Sequence, residues 1–113
     1  MRTVTLGISP IDRTKRRLAG ALRGLHQGSF ISFESVEVLW KVLTVKRWQI
    51  LKVMTGQGAL SIREVARRVD RDVKSVHVDV TALVKAGVLD QSPDGVEFPF
   101  DAVHVDFTLG KAA

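Results

Sequence analysis

The sequence predicts an α+β domain with helices in the middle of the chain and strands toward both ends. Apolar residues recur at helical spacing between about residues 32 and 86, and they alternate with polar residues near both termini. Glycines, prolines and capping residues separate these segments. A chain of 113 residues with 45% apolar residues is long enough for one domain with a short appendage.

The first 28 residues predict a strand followed by a helix. Residues 3–8, TVTLGI, alternate, and Ser9 and Pro10 are typical of a helix start. The predicted helix has an apolar face formed by Ile11, Leu18, Leu22 and Leu25. Its other face is basic and carries Arg13, Lys15, Arg16 and Arg17. We therefore divide the chain into a strand–helix extension (1–28), expected to serve dimerisation or partner binding, and a main domain (29–113).

Two helices are predicted after a short extended segment. The first carries an apolar set at helical spacing: Val36, Leu39, Trp40 and Leu43. Thr44 interrupts it, and a second helix is expected from about Val45 to Met54. The residues predicted to face inward are Val45, Trp48, Leu51 and Met54. Both tryptophans are expected in the core.

A capping box marks the third helix. Ser61 can cap the amide of Glu64, and the Glu64 side chain can reach back. The buried stripe of this helix is expected to comprise Ile62, Val65, Ala66 and Val69. Asp70 and Arg71 form the turn that ends it.

The tetrapeptide Val-His-Val-Asp occurs twice, and the two copies predict different structures. Residues 76–79 alternate like a strand, but they belong to one helical stripe bounded by Asp72 and Gly87, which are typical of helix ends. The stripe is Val73, Val76, Val80, Leu83 and Val84. A helix over 73–86 is therefore predicted. Residues 103–106 lie in AVHVDFTL, which alternates over eight residues and predicts a strand.

After Gly87, the segments VLDQS and VEFPF flank a Ser-Pro-Asp-Gly turn and predict a hairpin. Helix, helix, turn, helix and hairpin is the order of a winged helix-turn-helix. The segment RDVKSVHVDVTALVKAGVLD resembles the recognition helix and first wing strand of MarR-like and ArsR-like winged-helix regulators, and the resemblance covers about residues 44–100. Asp70 stands where many such turns have glycine, and Asp tolerates left-handed geometry better than most residues.

A narrower resemblance spans about residues 29–109. The strings SFESVEVLWKVLTVKRWQILKVM and IREVARRVDRDVKSVHVDV are similar to a family of small prokaryotic DNA-binding regulators, some of which are encoded beside TumE-type toxins as the cognate antitoxin. The resemblance implies a repressor that autoregulates its operon and binds a toxin protein.

The charge distribution favours an anionic partner. Nine Lys and Arg side chains lie between Lys41 and Lys74, against three carboxylates, and the balance reverses after Ala86. The chain contains no cysteine, which suits a reducing cytoplasm. It also contains no apolar run long enough to span a bilayer and no signal-peptide pattern at its N-terminus. We expect a cytoplasmic protein that binds double-stranded DNA as a homodimer.

The N-terminal flank of helix 73–86 is expected to read bases in the major groove. The candidate base-reading residues are Arg71, Lys74, Ser75, His77 and Val78. Lys or Arg can bond guanine, Ser and His can bond several base edges, and Val can contact a thymine methyl group. The candidate phosphate-binding residues are Thr44, Lys46, Arg47, Ser61, Arg63, Arg67 and Arg68.

Several alternatives stay open at this point. Charges on a short helix are also typical of a solvated face, as for Arg67 and Arg68. The basic extension could contact DNA, an acidic partner or only solvent. A second function is a protein-interaction module that neutralises a toxin, with the helix-turn-helix serving only as scaffold. No catalytic residue, metal ligand or cofactor is assigned, because no nucleophile elbow, phosphate-cradling glycine loop or metal-ligand cluster is present in the sequence.

Overall fold

The computed structural model describes residues 2–8 and 29–107, which form four helices and five strands. In chain order these are β1 (Thr3–Ile8), β2 (Ser29–Phe33), α1 (Val36–Val42), α2 (Val45–Met54), α3 (Ile62–Val69), α4 (Val73–Lys85), β3 (Asp90–Ser92), β4 (Gly95–Glu97) and β5 (Ala102–Asp106). The predicted α+β class is confirmed. The helix predicted after Pro10, the basic extension and Leu109 lie outside the described residues. Within the two described ranges, no helix has the length and apolar content that crossing a membrane requires.

Each of these four helices begins at a side chain that accepts a hydrogen bond from an amide of the first turn. The capping residues are Ser35, Thr44, Ser61 and Asp72. Such a bond satisfies one of the amides that a helix leaves unpaired at its start. The caps predicted at Ser61 and Asp72 are confirmed, and so is the helix that follows Asp72.

The turn between α3 and α4 contains one left-handed residue. Asp70 has φ 56° and ψ 53°, a conformation that the short polar side chain of Asp tolerates better than most. The amide of Arg71 then donates to the carbonyl of Ala66 at 3.1 Å. This turn changes the chain direction at the end of α3, so that α4 packs against α3.

One apolar core joins the helices to the strands. Its fully or nearly fully buried members include Val4, Leu6, Leu39, Leu43, Ile50, Leu51, Met54, Val65, Ala66, Val76, Val80, Leu83, Val96 and Phe98. The residues of α4 in this set recur at positions 76, 80 and 83, which are three of the five positions of the predicted helical stripe.

The predicted hairpin is formed by β3 and β4, and a third segment pairs with it. Leu60 and Val96 exchange two backbone hydrogen bonds, both of 2.8 Å. Gly95 has φ 127°, and a Cβ atom there would lie 2.3 Å from the carbonyl oxygen of Leu60. Glycine is therefore required where the hairpin approaches the start of α3.

A three-stranded parallel sheet, in the order β2-β1-β5, brings the two ends of the chain together. Val4 pairs in register with Val103, and Leu6 with Val105. Val4 and Leu6 are fully buried within a single chain, so β1 packs without a second copy. The strand predicted for the second Val-His-Val-Asp is confirmed as β5.

Three inward-facing predictions are wrong. Val45 is 74% exposed, Trp40 is 47% exposed and Val73, at the first position of α4, is 45% exposed. Positions three apart on a helix drift by about 60° at each step, so Val45 and Met54 lie on opposite sides of α2 and Ile50 takes the buried place. Trp40 lies at the rim of the core, where the Phe107 ring meets it edge-on at a centroid distance of 5.8 Å. Trp48 does pack against the core.

Candidate nucleic-acid interface

The first two turns of α4 present an exposed flank. Lys74, Ser75, His77 and Val78 are all exposed, and the Val78 side chain is 60% accessible. The opposite side of the same helix is anchored in the core by Val76, Val80 and Leu83. Four of the five predicted base-reading residues therefore lie together on one solvent-facing surface.

Ser75 has a structural role as well. Its amide and its hydroxyl donate to the two oxygens of Asp72, at 2.9 and 2.8 Å. The hydrogen bond from the backbone amide of Ser75 is the main reason that the pKa of Asp72 is lowered. The Ser75 hydroxyl is thus already used as a donor, although its lone pairs remain able to accept.

Arg71, the fifth predicted base reader, lies in an ion-pair cluster with Arg47 and Asp79. Arg71 Nη2 is 2.8 Å and Arg47 Nε is 3.0 Å from the two carboxylate oxygens of Asp79. The three side chains are only 14–18% exposed. Arg47 also donates to the carbonyl of Val42 at the end of α1. This Arg–Asp–Arg cluster ties α1, α2 and the α3–α4 turn to α4, and it withdraws both arginines from the exposed flank.

The charge state of the cluster follows from two opposing effects. Burial raises the pKa of Asp79, but the hydrogen bonds from Arg71 and then Arg47 outweigh burial and leave the pKa below its usual value. Asp79 is therefore ionised at neutral pH, and the Arg–Asp–Arg cluster carries one net positive charge. Arg71 Nη1 is buried without a hydrogen-bond partner in the described part of the chain.

Asp79 is a residue that the predicted site omitted. It lies three positions after Val76 and so falls toward the buried side of α4. A carboxylate on that side of a helix rarely stands without a cation. Its helical position was therefore a usable signal, but the identity of its two partners depends on how α2 and α4 pack.

Arg67 and Arg68, two predicted phosphate-binding residues, both pair with Glu64 on α3. The Nε atoms of Arg67 and Arg68 are 2.9 and 2.7 Å from its carboxylate oxygens. Hydrogen bonds from Arg67 and then Arg68 lower the pKa of Glu64 to about 2. Only half of the predicted capping box forms: Ser61 Oγ accepts from the Glu64 amide at 3.1 Å, while the Glu64 carboxylate turns to the arginines.

The remaining predicted phosphate-binding residues are at helix starts. Thr44 and Ser61 are the caps of α2 and α3, and Lys46 and Arg63 are exposed in the first turns that follow. Across residues 2–8 and 29–107, no carboxylate forms an ion pair with Lys46, Arg63 or Lys74. These three cations are therefore available to an anion. In the same ranges, no cluster of His, Asp and Glu is suited to hold a metal ion.

The net charge of the chain does not come from this part of it. The described residues hold eleven Lys and Arg and eleven Asp and Glu, and the excess of +5 lies in residues 9–28 and 108–113. Within the described part the signs are separated, because the helices carry most of the cations while Asp90, Asp94, Glu97, Asp101 and Asp106 follow α4. Any anion-binding face there is a local feature of the helices.

No curated protein and no solved structure matched the chain. The family HVO_A0114 matches residues 42–105, which is more than half of the chain. The matched segment begins at the last residue of α1 and contains α2, α3, α4, the β3–β4 hairpin and most of β5. The chain therefore belongs to the HVO_A0114 family.

Proposed function

We propose that the protein is a sequence-specific, double-stranded-DNA-binding transcriptional regulator with a winged helix-turn-helix, in which α4 is the recognition helix. The exposed flank of α4 carries this proposal. Lys74, His77 and Val78 lie on a helix whose other face is fixed in the core. An α-helix presented in this way fits the major groove and can place its N-terminal side chains against base edges.

The order and pairing of the elements support the winged form. α2, α3 and α4 are followed by the β3–β4 hairpin, and Leu60 adds a third paired segment ahead of α3. The hairpin carries Asp90, Asp94 and Glu97 and no Lys or Arg. Repulsion from phosphate keeps such a wing from adding affinity, so α4 and the starts of α2 and α3 supply the contacts.

Each exposed side chain has a distinct task. Lys74 bonds guanine, His77 bonds a base edge, and Val78 contacts a thymine methyl group. Lys46 and Arg63, with the hydroxyl groups of Thr44 and Ser61, hold phosphates and set the register. Arg47 and Arg71 hold α4 in place through Asp79, and Arg67 and Arg68 act only if phosphate displaces Glu64.

The test is selection of duplexes from a random library by the full chain, followed by affinity measurements over a range of salt. We expect the logarithm of the binding constant to fall with the logarithm of salt by about 0.9 for each phosphate neutralised. Lys74→Ala and His77→Ala should each relax the preference at one base position and cost about 1–3 kcal/mol.

Lys85→Ala is the matched control, because it removes the same charge from the last turn of α4, about 16 Å along the helix axis from Lys74. It should leave the base preference unchanged. Failure to enrich any sequence, or an equal effect of the Lys74 and Lys85 variants on preference, would remove α4 as the recognition helix.

We extend the proposal to the promoter that the protein regulates, which is its own, and to a second binding partner, a toxin. As a repressor at its own promoter and the antitoxin of a neighbouring toxin, the protein would bind both the promoter duplex and the toxin. The alternative is an interaction module that only neutralises the toxin. The exposed Trp40 and Val45 favour it, and so does the zero net charge of the described residues. Tight toxin binding with no preference for the promoter duplex would select the alternative.

A further inference from the structure

The strand β5 lies at one edge of the parallel sheet. β1 pairs with one side of it, and no described strand pairs with the other. Ala102 donates to the carbonyl of Arg2 at 3.2 Å, and alternate residues of a strand in a parallel pair bond to the same neighbour. The amides and carbonyls of Val103 and Val105 therefore point away from β1.

An open apolar groove of about 370 Å³ adjoins this edge. Val103 forms one side, and Val45, Trp48 and Leu51 of α2 form the other, with Lys52 also lining it. Val103, Val105 and Phe107 share one face of the strand, and Trp40 contacts Phe107 at its far end. The described residues include five large exposed apolar side chains. Three of them lie on α1 or at the start of α2, namely Val38, Trp40 and Val45.

We propose that β5 pairs antiparallel with β5 of a second copy of this chain, across a two-fold axis at His104. A parallel copy in the same register would set amide against amide, so a symmetric pair must be antiparallel. In the register about His104, Val103 of each copy exchanges two hydrogen bonds with Val105 of the other. Four hydrogen bonds form, and the sheet becomes a continuous six-stranded one.

Charge and shape favour a second copy as the occupant. The interface of a two-fold dimer must be complementary to itself. Asp106 of one copy then lies opposite Ala102 of the other, and Asp101 lies opposite Phe107, so no carboxylate faces another. Gly56, just after α2, donates to Phe100, just before β5. In this register the C-terminal end of the copy's strand lies at the Gly56 end of the groove, while the Asp106 side chains turn to the outer face of the sheet.

The same arrangement fills the groove. Val105 and Phe107 of the copy are on the inner face of the joined sheet and lie next to Val103 and α2. Five-residue strand pairing alone is weak, and apolar anchors in a groove are what stabilise such an interface. The pairing does not depend on DNA binding, although a two-fold dimer would present two α4 helices to a palindromic site.

The experiment uses the absence of cysteine from the chain. In the proposed register, the two His104 residues form a non-hydrogen-bonded antiparallel pair with Cα atoms about 4.5 Å apart, a separation that a disulfide can bridge. The full chain should have twice the 12.5 kDa mass of one chain in light scattering. Mild oxidation should crosslink His104→Cys and leave the exposed hairpin control Ser92→Cys uncrosslinked.

A second pair of variants tests the groove. Val45→Glu should weaken the dimer by about tenfold or more, while Val78→Glu, the same change at an exposed valine of α4, should leave the mass unchanged. These assays contain no DNA, so their failure is separate from failure of the proposed function.

Four results would overturn the pairing. A monomer with a His104→Cys thiol open to maleimide would show that no copy binds. A monomer with a protected thiol would show that other residues of the same chain cover the edge. A dimer that neither crosslinks at position 104 nor responds to Val45→Glu would place the interface elsewhere. A monomer that becomes protected only when a neighbouring toxin is added would replace the copy with that partner.

Discussion

The same four residues, Val-His-Val-Asp, form the middle of α4 at 76–79 and most of β5 at 103–106. In the helix, Val76 is fully buried and Asp79 is paired with two arginines. In the strand, Val103 is half-buried and Asp106 is exposed. Both histidines are exposed. Val78 is exposed, whereas Val105 is half-buried against the core. Both valines and the aspartate therefore differ in burial between the two copies, and the histidine does not.

The period of each element explains the difference. Residues three apart share a side of a helix, so Val76 and Asp79 both turn toward the molecule. Residues two apart share a face of a strand, so Val103 and Val105 turn inward while His104 and Asp106 turn out. A tetrapeptide thus carries no fixed role, and matched substitutions in the two copies separate the contribution of the residue type from that of its environment.

The largest expected difference is at the first valine. Val76→Ala should lower the free energy of unfolding by about 2–3 kcal/mol, because it removes two fully buried methyl groups and leaves a cavity. At protein concentrations low enough for the chain to be monomeric, Val103→Ala should cost less than half of that, because Val103 is only half-buried within one chain. Chemical denaturation of both variants checks this, and equal costs would mean that the two valines are equally buried in solution.

The aspartates should differ next. Asp79→Asn leaves Arg47 and Arg71 without their carboxylate and should destabilise the protein by about 2 kcal/mol, less than a fully buried pair would lose. It should also weaken duplex binding if the Arg–Asp–Arg cluster positions α4. Asp106→Asn is the control and should change the free energy of unfolding by less than about 0.5 kcal/mol. If Asp79→Asn were as stable as Asp106→Asn, the ion pairs of Asp79 with Arg47 and Arg71 would not stabilise the fold.

The histidines should differ in binding and not in stability. His77→Ala should cost about 1 kcal/mol of affinity for a selected duplex, as one lost base contact does. His104→Ala should leave that affinity unchanged, because His104 is on the sheet. Titrations at constant salt measure both. The proposed recognition face would be wrong if His104→Ala had the larger effect.

The smallest expected effect is the pH dependence of the first copy. The folded-state pKa of Asp79 is lowered, so its contribution to stability is present above the unfolded-state value of about 3.9 and is lost as pH falls through the lower folded value. The difference in unfolding free energy between the wild type and Asp79→Asn should therefore shrink below about pH 4. The Asp106→Asn difference should stay small throughout. If the difference in unfolding free energy between the wild type and Asp79→Asn stayed constant down to about pH 3, the lowered pKa of Asp79 would not be its cause.

Much of this architecture could be predicted from the residues alone. Asp72 and Gly87 bracket a stripe that only a helix can bury, and Ser61 and Asp72 satisfy amides within three residues of themselves. The β3–β4 hairpin and the alternation of AVHVDFTL are equally local. The exposed flank of α4 follows from the same stripe, because the side of a helix opposite its buried residues faces solvent.

Contacts between distant segments were decided by the tertiary structure. The pairing of β1 with β2 joins residues 25 positions apart, and its pairing with β5 joins residues 99 positions apart. No local pattern specifies such partners. The withdrawal of Arg47 and Arg71 to Asp79 depends on how α2 packs against α4. The exposure of Trp40 and Val45 depends on how α1 and α2 pack against the core. Capping and periodicity act within a few residues, whereas ion-pair partners and buried faces depend on how completed elements pack.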